Sequence, residues 1–213
     1  MRSAAGFGDG GEISVPRRAT IRASTADTSA DDVLTAACRG DEDAFRALYR
    51  DVQPRLLRYL RVLVGADAED VASDAWLHIA RDLGKFRGDA DGFRGWTATI
   101  ARNRAMDHLR SQQRRPVVHG TLDDLVEPAG QEDTAQAAVD SAGTDAALAL
   151  IARLPKDQAE AVLLRVVVGL DAKAAAKVLG KRPGAVRTAA HRGLRALAAH
   201  LDATPPPGRT PPE

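Results

Sequence analysis

The chain has 213 residues, enough for one or two small domains, and its formal net charge of +1 gives no overall attraction to nucleic acid or any other polyanion. Aromatic residues make up only 4%, and β-branched runs are rare outside Val166–Val168, which favours helix over strand. The single cysteine, Cys38, excludes an internal disulfide and a cysteine-held zinc ion. No stretch reaches the roughly 20 apolar residues of a membrane span, and Arg2, Asp9, Glu12, Arg17, Arg18 and Arg22 interrupt any secretory core, so a cytoplasmic location is expected.

Residues 1–30 are rich in Gly, Ser, Thr and Ala and poor in large apolar side chains, so they are expected to be disordered. A first folded block follows, residues 31–115. Asp41 can cap a helix carrying Phe45, Leu48 and Tyr49 on one stripe. Leu56, Leu57, Leu60, Leu63 and Val64 continue at helical spacing until Gly65. Asp67 starts another helix with Val71, Ala75, Leu77 and Ile79, ended by Gly84. A loop from Gly88 to Gly92 precedes a helix from about Phe93 to Arg110, with Phe93, Trp96, Ile100 and Leu109 as its expected buried side.

Residues 116–143 lack periodicity and carry prolines, glycines and only acidic charge, which reads as a flexible linker. The second block, 144–201, holds helices around Ala147–Ile151 and Ala161–Val168, separated by Leu154–Pro155. A short helix, Ala172–Leu179, follows Asp171, and a last one runs from Pro183 to about Leu201. Residues 202–213 form a proline-rich tail expected to be unstructured. The expected fold is therefore all-α: two small helical domains joined by an acidic linker.

Charge is blocked along the chain. Residues 31–83 carry 11 acids and 7 bases, 84–115 carry 8 bases and 3 acids, 117–145 carry 7 acids and no Lys or Arg, and 146–201 carry 10 bases and 3 acids. Blocks that coincide with structural units point to separate electrostatic roles.

The segment Asp171–Arg195 has the pattern of a helix-turn-helix. Ala175 and Ala176 permit close helix crossing, Val178, Leu179 and Val186 supply a small core, and Gly180 permits the turn. The second helix can then lie in a major groove, presenting Arg187, Thr188, His191, Arg192 and Arg195. A plain helical hairpin with solvated charges is the bland reading, and the basic excess argues against it.

The segment Lys85–Arg115 interleaves Lys85, Arg87, Arg94, Arg102, Arg104 and Arg110 with Phe86, Phe93 and Trp96. Rings beside basic groups suit single-stranded nucleic acid, whose bases stack on them. Asn103, Asp107 and Arg110 share one helical face. Asn103 can pair with a base edge, whereas Asp107 can hold Arg110. For Trp76, Phe93 and Trp96 the core reading outweighs the base-stacking one.

These residues resemble a known family, the extracytoplasmic-function sigma factors of bacterial RNA polymerase. The resemblance rests on Ala68-Glu69-Asp70-Val71 leading to Trp76, on Phe86-Arg87-Gly88, Phe93-Arg94-Gly95-Trp96, Ile100-Ala101-Arg102-Asn103 and Asp107-His108-Leu109-Arg110. In the second block it rests on Leu154-Pro155, Gly169-Leu170, Leu179-Gly180, Pro183-Gly184-Ala185-Val186 and His191-Arg192. It implies a sigma-2-like domain at 31–115, whose Glu69, Asp70, Asp74 and Trp76 dock on core RNA polymerase. It implies that Lys85, Phe86, Arg87, Phe93, Arg94, Arg102, Asn103 and Arg110 bind and open the minus-ten promoter element. A sigma-4-like domain at 144–201 would read the minus-thirty-five element as a duplex, and the acidic linker would lie in the RNA path of the polymerase. The resemblance further implies no cofactor, no small-molecule substrate and no catalysis by the factor itself, and an anti-sigma factor, often membrane-attached, as inhibitory partner. The chain departs from the family at Ala174, where an acid is common, at Ala189, where a base is common, and at Arg182, where a small hydroxyl cap is usual, so promoter sequence does not carry over.

The main alternative is a helix-turn-helix regulator that never touches polymerase. It has no need of an aromatic-basic strand-opening surface. An enzyme is disfavoured, because the sequence holds no Ser/His/Asp set, phosphate-cradling Gly loop or metal-ligand spacing.

Overall fold

The computed structural model describes residues 29–114 and 135–202, and all their regular elements are helical. The expected disordered extension before residue 29, residues 116–134 of the linker and the proline-rich tail lie outside the described residues. Among the described residues, no helix is long and apolar enough to cross a membrane.

The first half contains four helices: α1 (Ala30–Cys38), α2 (Glu42–Val64), α3 (Ala68–Asp82) and α4 (Ala90–Arg114). Helix α1 was not expected from the sequence. It is short, with Val33 and Leu34 as its only large apolar side chains, and is secured by Ser29, whose hydroxyl oxygen accepts from the Asp32 N–H, and by burial of Leu34 and Ala37. Its Asp31 carboxylate accepts from the Ala90 N–H at 2.7 Å and so helps to seat the start of α4. Asp41 caps α2 as expected, accepting from the Ala44 N–H at 2.8 Å. The two apolar runs read separately prove to be one helix through Pro54. Proline removes a single backbone donor, and Leu48, Val52, Leu56, Tyr59 and Leu60 keep one continuous buried face across it.

Asp67 precedes α3 but does not cap it through its side chain. Its carboxylate instead accepts from His108 Nε2 at 3.0 Å and Gln112 Nε2 at 2.8 Å, pinning the far end of α4 to the start of α3. The inner face of α4 is made of Phe93, Thr97, Ala98, Ala101 and Ala105, while Trp96, Ile100 and Leu109 are only half-buried. Small residues let α4 lie close against α2 and α3, which leaves the larger side chains at its margins.

The second half contains α5 (Ala135–Ala152), α6 (Lys156–Val162), α7 (Ala172–Leu179) and α8 (Pro183–Asp202), with a π-helical turn at Leu163–Val167 after α6. Helix α5 begins inside the segment read as linker. Ala135, Ala137 and Ala138 are strong helix formers, and a linker reading from missing periodicity, prolines, glycines and acidic charge underweights them. The halves are packed together: α4 against α7, and α2 against α5 and the π turn.

Candidate nucleic-acid interface

In the second half, Asp171 accepts from the Ala174 N–H at 2.6 Å and starts α7, and Gly180 ends it in the left-handed region at φ +63°. The Lys181 N–H returns to the Ala176 carbonyl at 2.9 Å, closing the turn into α8. Ala175, Ala176, Val178, Val186 and Ala190 are buried between these helices and α6. Lys181 also reaches Asp157 on α6 at 2.7 Å, and this bond holds the Asp157 carboxyl below the usual carboxylate range. Helix α8 is thus fixed with Arg187, Thr188, His191, Arg192 and Arg195 all exposed. Arg182 stands exposed just before α8.

In the first half, Phe86, Phe93 and Trp96 form an aromatic cluster, with ring centroids 5.1 Å apart for Phe86–Trp96 and 5.5 Å for Phe86–Phe93. Phe93 is 1% exposed, so it cannot meet DNA as expected from the sequence; it is the floor on which Phe86 and Trp96 rest. Those two rings border a cleft of about 350 Å³ that Lys85, Ile100, Asn103, Arg104 and His78 also line. Trp96, His78 and Arg104 were not among the site residues expected from sequence. A ring at helical spacing such as Trp96 usually means core, yet here it is half-buried at the margin of α4 and borders the cleft. His78 joins the site only through packing of α3 on α4, whereas Arg104 follows Ile100 by one turn of α4 itself.

Most basic groups here are held by acids. Lys85 reaches Asp82 at 3.0 Å, Arg94 reaches Asp91, and Arg104 and Arg110 share Asp107 at 3.1 and 2.7 Å. Arg81 and Lys85, bonding to Asp82, hold its carboxyl down at about 2. Arg87 folds back, donating to the Gly84 and Phe86 carbonyls. Such exposed pairs contribute little to stability but keep the cations near the cleft, where a phosphate can replace the carboxylate. Asn103 is exposed, whereas Arg102 is turned away from it toward Glu160 on α6, 3.1 Å distant.

The expected docking face on α3 divides in two. Glu69 and Asp70 are exposed; Asp74 is half-buried near Arg104. Trp76 is only 7% exposed, with its indole N–H donating to Gln53 at 2.5 Å and its ring against Phe45 and Tyr49, so it supports α3 from beneath and cannot itself be the contact. The exposed apolar residue is its neighbour Leu77, at 71%. The signal was present in the sequence, since Leu77 lies one helical turn from Ser73 and Asp74 and two from Asp70.

A helical chain with a helix-turn-helix in one half and a basic-aromatic cleft in the other is a nucleic-acid-binding protein of a particular build. Residues 48–115 match the Sigma-70 region 2 family and residues 144–197 match Sigma-70, region 4. The chain is 34% identical to the ECF RNA polymerase sigma factor BldN of Streptomyces coelicolor over 170 residues, spanning 78% of this chain and 64% of BldN. It is 33% identical to the ECF RNA polymerase sigma factor SigD of Mycobacterium tuberculosis over 175 residues, spanning 78% of this chain and 81% of SigD. The solved structure of CnrH in complex with the cytosolic domain of CnrY shares the fold, with a TM-score of 0.57 and 24% identity over 83% of this chain and all of that one. The chain belongs to the ECF RNA polymerase sigma factors of the sigma-70 family, whose members are not enzymes.

Proposed function

We infer that this protein binds core RNA polymerase in the cytoplasm and directs it to a set of promoters, and that an anti-sigma factor restrains it. The observation that carries this reading is the pairing, in one chain, of a cleft walled by Phe86, Trp96, Lys85 and Asn103 with an exposed basic face on α8. The first suits an extruded base of the minus-ten element, stacked on a ring and paired through Asn103. The second suits duplex major groove at the minus-thirty-five element, with Arg187, His191, Arg192 and Arg195 toward phosphates and base edges. Glu69, Asp70 and Leu77 offer an acidic face with an apolar centre for core polymerase. The anti-sigma factor would cover that face. The polymerase-independent regulator leaves the cleft without a purpose.

Run-off transcription with bacterial core polymerase on promoters selected by sequencing tests the reading. Transcripts with one defined start, present only with this protein, are expected. Tight duplex binding without transcripts, from a core active with another sigma factor, would replace it with the polymerase-independent regulator.

A further inference from the structure

One wall of the aromatic-basic cleft has no part in the function assigned above. His78 stands on α3, one helical turn after Asp74, and its imidazole lines the cleft together with Phe86, Trp96 and Asn103. The ring is held in one orientation. Its Nδ1 lies 2.8 Å from the Asp74 carbonyl oxygen and 3.5 Å from the Asp74 carboxylate, and the side chain is 29% exposed. A carbonyl oxygen can only accept, so Nδ1 carries the proton and donates. In the neutral imidazole the other nitrogen, Nε2, then has a bare lone pair. Nε2 makes no hydrogen bond to the described residues.

The other polar groups of the cleft are of a different kind. Lys85 and Arg104 only donate. Asp82 is an acceptor, but its two oxygens are taken by Arg81 at 2.9 Å and Lys85 at 3.0 Å. Those bonds hold its carboxyl down at about 2, so it stays charged and engaged. Asn103 is an exposed amide with both a donor and an acceptor. His78 therefore adds an acceptor that is oriented, unengaged and without a donor beside it.

Bases differ in what they bring to such a group. At C4 of cytosine and C6 of adenine an amine stands beside an unprotonated ring nitrogen, a donor next to an acceptor. Thymine and guanine carry a carbonyl beside a ring N–H there, the reverse order. An amine meets the Nε2 lone pair as a hydrogen bond. A carbonyl meets it as two opposed lone pairs, and both are left unsatisfied.

We propose that His78 is a specificity-determining residue for the minus-ten element: its Nε2 accepts from the exocyclic amine of the extruded base and selects cytosine or adenine against thymine and guanine at one position. This rests on the sigma-factor reading above and narrows the ligand of the cleft to an amino base. The amine goes to His78 and the ring nitrogen beside it to the Asn103 amide N–H, so the two side chains read adjacent atoms of one base edge.

The test compares wild type, His78→Lys and His78→Ala as holoenzymes with bacterial core polymerase, each selecting active promoters from a library randomised across the minus-ten element. Lysine puts a donor where the lone pair stood, and alanine removes both. Wild type should prefer cytosine or adenine at one position by about tenfold, the discrimination of a well-placed base contact. His78→Lys should move that position, and no other, toward thymine or guanine. His78→Ala should still transcribe, with the preference there reduced severalfold. A merely structural role would lower output on all promoters and leave the preferred bases unchanged; identical preferences in the three proteins would overturn the assignment. A second measurement needs no polymerase. The full-length protein is titrated with fluorescent single-stranded oligo(dC) and oligo(dU), whose bases differ by an amine replaced with a carbonyl. Wild type should bind oligo(dC) several-fold more tightly, and His78→Lys should reverse the order. Equal affinity of wild type for the two, or none for either, would overturn the assignment as well. If wild type directs no transcripts from active core, it is the sigma-factor reading that fails, and the oligo(dC) to oligo(dU) ratio still decides whether His78 reads the amine.

Discussion

Trp76 and Leu77 are adjacent in sequence and opposite in situation. Trp76 is enclosed by Phe45, Tyr49 and Gln53, and Leu77 stands in solvent. Trp76→Ala should therefore cost about 3–5 kcal/mol of stability in denaturant unfolding. Leu77→Ser should leave the unfolding midpoint within about 0.5 kcal/mol of wild type and weaken core polymerase binding severalfold; unchanged affinity in a titration would remove Leu77 from the docking face. Asn103 and Arg187 separate the two DNA functions in the same way. Asn103→Ala should reduce permanganate reactivity of the minus-ten region more than it reduces duplex binding. Arg187→Ala should weaken binding to a minus-thirty-five duplex, and if it contacts phosphate the salt slope should fall by about 0.9. Gly193 is a third kind of residue. It is buried where α8 crosses α6, and an added Cβ would come within 2.8 Å of Val162 Cγ2. Val162 is a short, fully enclosed side chain, so Gly193→Ala should destabilise the second half by about 1–3 kcal/mol despite the better helix propensity of alanine.

At the scale of elements, the clearest sequence signals were those with local causes. Asp41, Asp171 and Gly180 each occupy the cap position their chemistry favours, and the helix-turn-helix followed from them together with alanine spacing. The element missed, α1, did carry a local signal, the Ser29 cap three residues before Asp32; its bond from Asp31 to Ala90 is tertiary, and no local pattern records it. The two apolar runs of α2 follow one another at helical spacing, and one buried face joins them through Pro54. For α4 the error was one of size. Large apolar residues were expected inward, yet Ala101 and Ala105 occupy the core so that the helix can approach α2 and α3. Ala101→Leu should accordingly cost about 1–3 kcal/mol, measured by thermal or denaturant unfolding. The α3–α4 clamp at Asp67 adds a pH dependence. His108, and then Gln112, hold this carboxyl below its ordinary value. A depressed folded-state pKa stabilises above the unfolded value near 4 and ceases to do so as pH falls through the folded value. The side chain is 41% exposed, so solvent screening keeps the contribution below about 1 kcal/mol. Asp67→Asn should show that small deficit at neutral pH and none in strong acid.

At the scale of the whole molecule, the order of charge blocks along the chain anticipated two halves with different work. It could not anticipate how they meet. Arg102 read as one more cation of the minus-ten surface, and Glu160 as one of only three acids in a basic block; their pairing is a fact of tertiary packing. The same holds for the cleft, whose His78 and Arg104 come from neighbouring helices.

The fit of Ala174 against Gly95 also bears on how freely such proteins can be recombined. Domains that merely share a tether can be exchanged, and a new promoter preference acquired, by replacing one of them. Here the outer surface of the helix-turn-helix is matched to a partner helix 79 positions earlier in the chain. A hybrid carrying residues 29–114 of this protein and the second domain of a relative with an acid at that site would inherit a foreign promoter and, with it, a mismatched contact between α7 and α4. Specificity and packing would then have to be inherited together, and drift at either face would be limited by what the other tolerates.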